Sequence, residues 1–299
     1  MFLPPPGAKA WDQEEAGSLA AWIPQAPPSG GAARVATRGR VIERDRVEVS
    51  FPDLAGVSDR GLRRHSNEDA MALARVDGQG TRILVVCDGV ATSTQPASAS
   101  QAAARAALAY LADAVQSGQP DLVLAMRWAV ATAHRVVCEV SDRIGASDDP
   151  PASTLVAALL KDGEATVGWI GDSRAYFFDA NRGRQLTRDD SWATEQVQLG
   201  LMSEAEATAD PRAHGLTAWL GGDQRPPPEP SVVTVEVPAP GCLVLCTDGL
   251  WNYAPTVGRL HELMLRFPAD DPLEVARELT DFARSSGGED NITVVVGFV

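Results

Sequence analysis

The sequence predicts an α+β fold: a β-sandwich of two antiparallel sheets packed face to face and flanked by helices, in α-β-β-α layers. Three observations predict it. Short apolar runs of strand length recur along the chain, separated by turn residues. Long helical stretches arrive in pairs between groups of strands, the pattern of sheets covered on their outer faces. Four acidic clusters, Asn67-Glu68-Asp69, Cys87-Asp88-Gly89, Thr247-Asp248-Gly249 and Glu289-Asp290-Asn291, stand where strand-like runs meet turns.

The elements follow in order. Residues 1–50 hold Pro4 to Pro6, Pro24, Pro27-Pro28 and Gly30-Gly31, which break any long element, and carry Trp11, Trp22 and Ile23 as isolated apolar anchors. They read as an N-terminal extension, flexible or partly docked, ahead of a folded domain over 51–299. Regular alternation begins at 47–57, and 81–87 is a short run suited to a buried strand. Two covering helices are predicted at 97–116 and 121–143 from apolar residues at helical spacing. A β-meander follows at 153–160, 165–170 and 174–178, with Asp162-Gly163 as a tight hairpin turn. Short helices broken at Gly200 are expected over 191–206, strands at 231–237 and 241–246, helices at 256–266 and 272–285, and a last strand at 292–299. Gly171 to Arg174 reads as a tight turn whose Asp172 and Arg174 bond between strands.

Composition narrows the function. A chain of 299 residues with 44% hydrophobic content can bury a substantial core. Its net charge of −14 argues against nucleic acid or an anionic membrane as partner, since both need a basic footprint. There is no apolar run of membrane-spanning length and no leader pattern at the N-terminus, so a cytoplasmic protein is expected. Cys87, Cys138, Cys242 and Cys246 lie in apolar contexts and read as buried thiols, and the four histidines form no ligand pair at helical spacing.

The acidic clusters are the chemical signal. Carboxylate oxygens are hard ligands that suit Mg²⁺ or Mn²⁺. Bare carboxylates about 4 Å apart repel by roughly 4 kcal/mol at an effective dielectric near 20. If the clusters converge, they need a cation.

Their order carries a family resemblance. Ser58-Asp59-Arg60-Gly61, Arg64, Asn67-Glu68-Asp69, Cys87-Asp88-Gly89, Ala152-Ser153-Thr154-Leu155, Gly171-Asp172-Ser173-Arg174, Thr247-Asp248-Gly249-Leu250-Trp251 and Gly287-Gly288-Glu289-Asp290-Asn291-Ile292-Thr293 occur in sequence. Together they resemble the metal-dependent protein phosphatase 2C family, above all its bacterial branch, over about 54–299. The resemblance implies two Mn²⁺ or Mg²⁺ ions, with a third in some settings, in a cleft at one end of the sandwich. Asp88 then matches the carboxylate bridging both ions and the Gly89 carbonyl a ligand of the second. Asp248 and Asp290 match ligands of the first ion, Glu68 and Asp69 the acidic pair serving the second, and Arg64 the arginine that grips substrate phosphate. Asp149 falls near the family's third-metal aspartate. Residues 190–222 lie where the family carries a variable flap, with Trp192, Met202, Trp219 and Arg225 as candidate contacts.

The implied activity is hydrolysis of phosphoserine and phosphothreonine on proteins by metal-activated water, opposite a Ser/Thr kinase. A pair of ions about 3.5 to 4 Å apart lowers the pKa of water and stabilises charge during in-line attack. The absence of a Cys-x5-Arg loop agrees with a route without a covalent intermediate. One departure stands out: family members continue Asp-Gly-x-Gly-Gly, whereas this chain reads Asp88-Gly89-Val90-Ala91-Thr92. If the lost glycines need φ > 0, Ala91 and Thr92 would be strained by about 1 kcal/mol or more each. That raises the alternative of a phosphatase-fold regulatory or phosphoprotein-binding module with weak turnover.

Overall fold

Two sheets carry the fold, and strand alternation decides what each face is buried against. A computed structural model describes residues 38–299 apart from 44–45, 77, 79, 146–147, 223, 225–226 and 268–270, with backbone alone for 38–43. Among the described residues, the larger sheet runs β1 (Arg38–Glu43), β2 (Arg46–Phe51), β3 (Leu54–Asp59), β14 (Ile292–Phe298), β13 (Cys242–Cys246), β9 (Arg174–Phe178), β10 (Gly183–Gln185). The smaller runs β12 (Ser231–Glu236), β8 (Glu164–Ile170), β7 (Leu155–Lys161), β5 (Thr81–Asp88), β4 (Asp69–Val76). Their neighbouring strands are all antiparallel. A two-stranded ribbon, β6 (Ala152–Ser153) with β11 (Leu220–Gly221), stands apart.

Strand β5 shows how sequence becomes layers. Leu84 and Val86 face the other sheet, where Leu54, Leu73, Phe177, Leu243, Leu245 and Val295 fill the space between sheets. Ile83, Val85 and Cys87 point the opposite way, against α1 (Pro96–Gln116) and α2 (Leu122–Ile144). The buried stripes of these helices are rich in small residues, Ala99, Ala103 and Ala107 on α1 and Ala125, Ala129 and Ala133 on α2, which permits close packing. On the far side, beyond the short α5 (Asp248–Trp251), α6 (Val257–Met264) and α7 (Pro272–Ser286) cover the larger sheet through Leu260, Leu263, Val275 and Leu279. The result is the expected α-β-β-α stack.

Register brings the acidic ends to one place. Asp69 pairs with Asp88, the start of β14 pairs with Asp59, and the end of β13 at Cys246 pairs with Val294 and Arg174. Strand ends carrying the clusters therefore share one end of the sandwich.

The sequence expectation differs from the structure at the N-terminal edge. The run at 47–57 is split into β2 and β3 by a turn at 52–53, and β1 pairs with β2, so residues 38–43 and 46–51 belong to the larger sheet and not to an extension. The charged sequence Arg-Gly-Arg-Val-Ile-Glu of β1 suits an edge strand, which reads poorly by hydrophobic pattern. Trp11, Trp22, Ile23 and Arg225 lie outside the described residues. No helix among the described residues is long and apolar enough to cross a membrane.

Candidate metal centre

Close backbone approach builds the acidic end. A Cβ on Gly89 would lie 2.5 Å from the Pro96 carbonyl oxygen and 2.8 Å from that of Glu68, and one on Gly249 would lie 1.9 Å from the Asn291 carbonyl oxygen. Only glycine lets these segments meet. The Asn291 side chain then latches three pieces together: its Oδ1 accepts from the Glu68 N–H at 2.8 Å, and its Nδ2 donates to the Arg60 and Ser66 carbonyls at 2.8 and 2.9 Å.

Asp88 ends β5, its N–H donating to Thr154 Oγ1 at 3.0 Å and its carbonyl accepting from the Thr154 N–H at 2.8 Å and from Ser153 Oγ at 2.9 Å. Val90 N–H donates to the Ala152 carbonyl, so the Gly89–Ser153 pairing leaves the Gly89 carbonyl outside that ladder. Asp69 faces Asp88 across the strand pair. Thr247 Oγ1 donates to Asp69 Oδ2 at 2.9 Å, while Asp69 Oδ1 is buried without a hydrogen-bond partner. Arg64 Nη2 donates to Asp290 Oδ2 at 2.6 Å, and its Nη1 lies 3.6 Å from Glu68 Oε2.

The carboxylates act on one another. Burial, then the charges of Asp69, Asp248, Asp172 and Asp290, raises Asp88 well above the carboxylate range. Burial pushes Asp69 up to about 7, opposed by the neighbouring hydroxyls of Thr293 and Thr247 and reinforced by Asp248 and Asp290. Asp248 is pushed up to about 6 by burial and Asp290, against Arg64. Asp172 is pushed up to about 8 by burial, then by Asp248 and Asp189.

These residues fit a divalent pair. Among the described residues no three His, Cys, Asp or Glu side chains close around one point as a complete cage. Mg²⁺-type sites do not require one: such ions keep several waters and take one or two carboxylates plus substrate oxygens. The buried Asp69 Oδ1, without a hydrogen-bond partner, and carboxylates close enough to raise one another suit a divalent cation.

The family model described as Protein phosphatase 2C matches residues 62–284. The chain belongs to the protein phosphatase 2C family. It is 30% identical over 245 residues to the serine/threonine protein phosphatase PstP of Mycobacterium tuberculosis, covering 82% of this chain and 44% of that protein. It is also 30% identical over 253 residues to the serine/threonine phosphatase stp of Listeria welshimeri, covering 80% of this chain and 92% of that one. The chain thus spans under half the length of the first relative and nearly all of the second. The crystal structure of the M. tuberculosis PstP/Ppp phosphatase superposes with a TM-score of 0.68 at 30% identity, covering 82% of this chain and 97% of that one. A PstP catalytic domain in complex with two manganese ions gives 0.66 at 29% identity, with 82% and 96% covered.

Within this phosphatase 2C domain, Arg64, Glu68, Asp69, Asp88, Gly89, Asp248 and Asp290 stand at the shared strand ends. Asp149 lies on an exposed loop, where its carbonyl accepts the Thr94 N–H at 2.8 Å. Asp172 is the aspartate that a local turn reading underrates. Its carbonyl accepts from Trp251 Nε1 at 3.0 Å, its charge helps to raise Asp88, and the charge of Asp248 helps to raise Asp172 in turn. The signal was present: like Asp88, it is an acid at the end of a buried strand. Arg174 bonds not across the turn but to the loop after β10, donating to both Asp189 oxygens at 2.7 to 3.2 Å and lying 3.8 Å over the Trp251 ring.

The Val90-Ala91-Thr92 departure is absorbed without left-handed strain at residues 91 and 92. Among the described non-glycine residues, positive φ occurs at Gln95 (53°) and Asp162 (51°) alone. Ser93 Oγ accepts from the Ala152 N–H at 3.2 Å, tying the loop to the ribbon. Gln95 takes the strained turn ahead of α1, a cost of about 1–2 kcal/mol.

The ribbon has a second support. His134 Nδ1 accepts from the Gly221 N–H at 3.1 Å, which assigns the ring proton to Nε2, 3.5 Å from Cys138 Sγ. Cys138 is therefore a partly exposed partner of histidine and not the buried thiol expected from its context. His134→Leu is expected to cost about 1–3 kcal/mol by orphaning the buried Gly221 N–H. Urea unfolding checks this, and His134→Gln, which keeps an acceptor, should recover part of the loss.

Proposed function

We propose that the chain is a metal-dependent serine/threonine protein phosphatase that hydrolyses phosphoserine and phosphothreonine monoesters. The observation that carries the reading is the gathering of Asp69, Asp88, Asp172, Asp248 and Asp290 at one end of the sandwich, each of the first four held above its ordinary range by burial and the others' charge. On this reading Asp88, the Gly89 carbonyl, Asp248 and Asp290 hold two Mn²⁺ or Mg²⁺ ions, assisted by Glu68 and Asp69, with Asp172 better placed than Asp149 for any third. Bound metal would supply an activated water and neutralise phosphoryl charge.

The chain's own residues do the rest. Arg64, held between Asp290 and Glu68, offers the planar fork that grips phosphate oxygens in two places. Thr154, Ser153 and Asn291 fix the backbone of the acidic turns, so that the carboxylates are in place before substrate arrives. The substrates are phosphorylated proteins, the opposing enzyme is a Ser/Thr kinase, and the compartment is the cytoplasm.

A phosphothreonine peptide incubated with Mn²⁺ is expected to release phosphate, and chelator is expected to stop it. Undiminished release in chelator would overturn the reading; no release with metal would favour the binding-module alternative. Arg64→Lys should lower kcat/KM by about 10- to 100-fold, on the order of 1.4–2.7 kcal/mol, because a point charge cannot copy the fork.

A further inference from the structure

The flap ends in an apolar tip that its own domain does not cover. Helices α3 (Trp192–Gln198) and α4 (Glu204–Ala209) meet there, with Leu199 and Leu201 63% and 66% exposed and Val197 38% exposed on the preceding turn. One exposed leucine is ordinary. Three large aliphatic side chains within five residues of a solvent-facing turn form a presented surface.

The tip is built to stay in shape. Ser203 and Glu206 make a reciprocal capping box on α4. Trp192 at the base of α3 carries the Arg212 guanidinium 4.0 Å over its ring, and Arg212 in turn donates to both Asp210 oxygens at 2.9 Å. Such pre-organisation reduces the ordering cost of binding.

Both legs of the flap root beside the acidic centre. Asp190 exchanges bonds with Gly171, its Oδ2 accepting from the Gly171 N–H and its N–H donating to the Gly171 carbonyl, both at 2.9 Å, and Thr217 N–H reaches the Asp190 carbonyl. The His214 ring lies 5.9 Å from that of Trp251. Seven residues of α3 span about 10 Å, so the tip stands roughly three extended residues, at about 3.3 Å each, from the root.

Its charge has one sign. Glu195, Glu204 and Glu206 are exposed around the leucines, and the sequence holds no Lys or Arg between Arg188 and Arg212. We propose that the Val197, Leu199 and Leu201 tip docks a basic and apolar segment of the phosphorylated protein substrate, a few residues along the chain from the phosphoresidue. This rests on the phosphatase reading and adds a substrate preference to it. The leucines offer an apolar anchor, and the surrounding carboxylates select Lys and Arg and disfavour acidic segments. A second copy of the chain is a poor occupant, because it would bring the same negative charge to the contact.

The test compares the wild-type chain with a Leu199→Ser/Leu201→Ser variant, both loaded with Mn²⁺. The probes are p-nitrophenyl phosphate and two phosphothreonine peptides, one flanked by Arg and Leu, the other by Ser and Gly. The wild type should show a KM about tenfold lower for the Arg/Leu peptide, equivalent to about 1.4 kcal/mol. The variant should lose that difference and keep its rate on p-nitrophenyl phosphate. A Glu195→Lys/Glu204→Lys variant should likewise lose the preference for the Arg/Leu peptide while keeping its rate on p-nitrophenyl phosphate. Equal KM values in the wild type, or a preference that survives in the serine variant, would overturn the proposal. So would a concentration-dependent dimer abolished by the serine substitutions, which would assign the tip to self-association. If p-nitrophenyl phosphate is not turned over, it is the phosphatase reading that fails; fluorescence anisotropy of the two labelled peptides then decides the docking, with equal affinities overturning it.

Discussion

Replacing Asp88 with asparagine is expected to cut Mn²⁺-dependent turnover about a thousandfold or more, on the order of 4 kcal/mol of lost transition-state stabilisation, while raising the melting temperature of the metal-free protein. The two effects have one cause. Asp88 is a buried carboxylate whose neighbours Asp69, Asp248, Asp172 and Asp290 all disfavour its charge. Asparagine keeps its shape and leaves its backbone contacts to Thr154 and Ser153 available. It removes the charge that attracts metal and, without metal, repels its neighbours. A surface aspartate of no functional importance would show neither change. Phosphate release and calorimetry on one preparation decide the matter: retained turnover excludes Asp88 from the metal centre, and a lowered melting temperature means that packing around the side chain outweighs repulsion.

Much of this was legible because period-2 alternation records burial directly. In β5, Leu84 and Val86 separate cleanly from Ile83, Val85 and Cys87, and both sets are buried, as expected of a strand between two apolar layers. The acidic motifs were legible for a different reason: Gly89 and Gly249 follow their aspartates because neighbouring backbone leaves no room for a side chain. What escaped depends on contacts between distant segments. Asp172 looks like a turn residue until the fold sets it beside Asp88 and Asp248. Edge strand β1 and ribbon strands β6 and β11 are too polar or too short to register as pattern. The strain expected at Ala91 and Thr92 is not there because neither takes positive φ; in this segment Gln95 does, and Ser93 ties the loop to the ribbon.

Stripped of metal, the protein is expected to lose stability as the pH rises from about 5 to about 8. Burial, with mutual repulsion, pushes Asp248 up to about 6, Asp69 up to about 7 and Asp172 up to about 8. An unfolded aspartate gives up its proton near pH 4. Between that value and the raised ones, the folded state therefore binds more protons than the unfolded state, and stability falls with rising pH. The stabilisation is fully present only below about pH 4, erodes across this interval, and is gone for each group once the pH has risen through its raised value. Divalent ions reverse the trend, since they bind the deprotonated carboxylates and displace the same protons. Calorimetry in chelator at pH 5, 6.5 and 8 should show the melting temperature dropping by several degrees, at about 2–4 °C per kcal/mol for a domain of this size. The increment gained on adding Mn²⁺ should grow over the same range. A flat or rising melting temperature in chelator would mean that the aspartates are already solvated or paired in the folded chain. The acidic end of the sandwich would then hold no unmet demand for a cation.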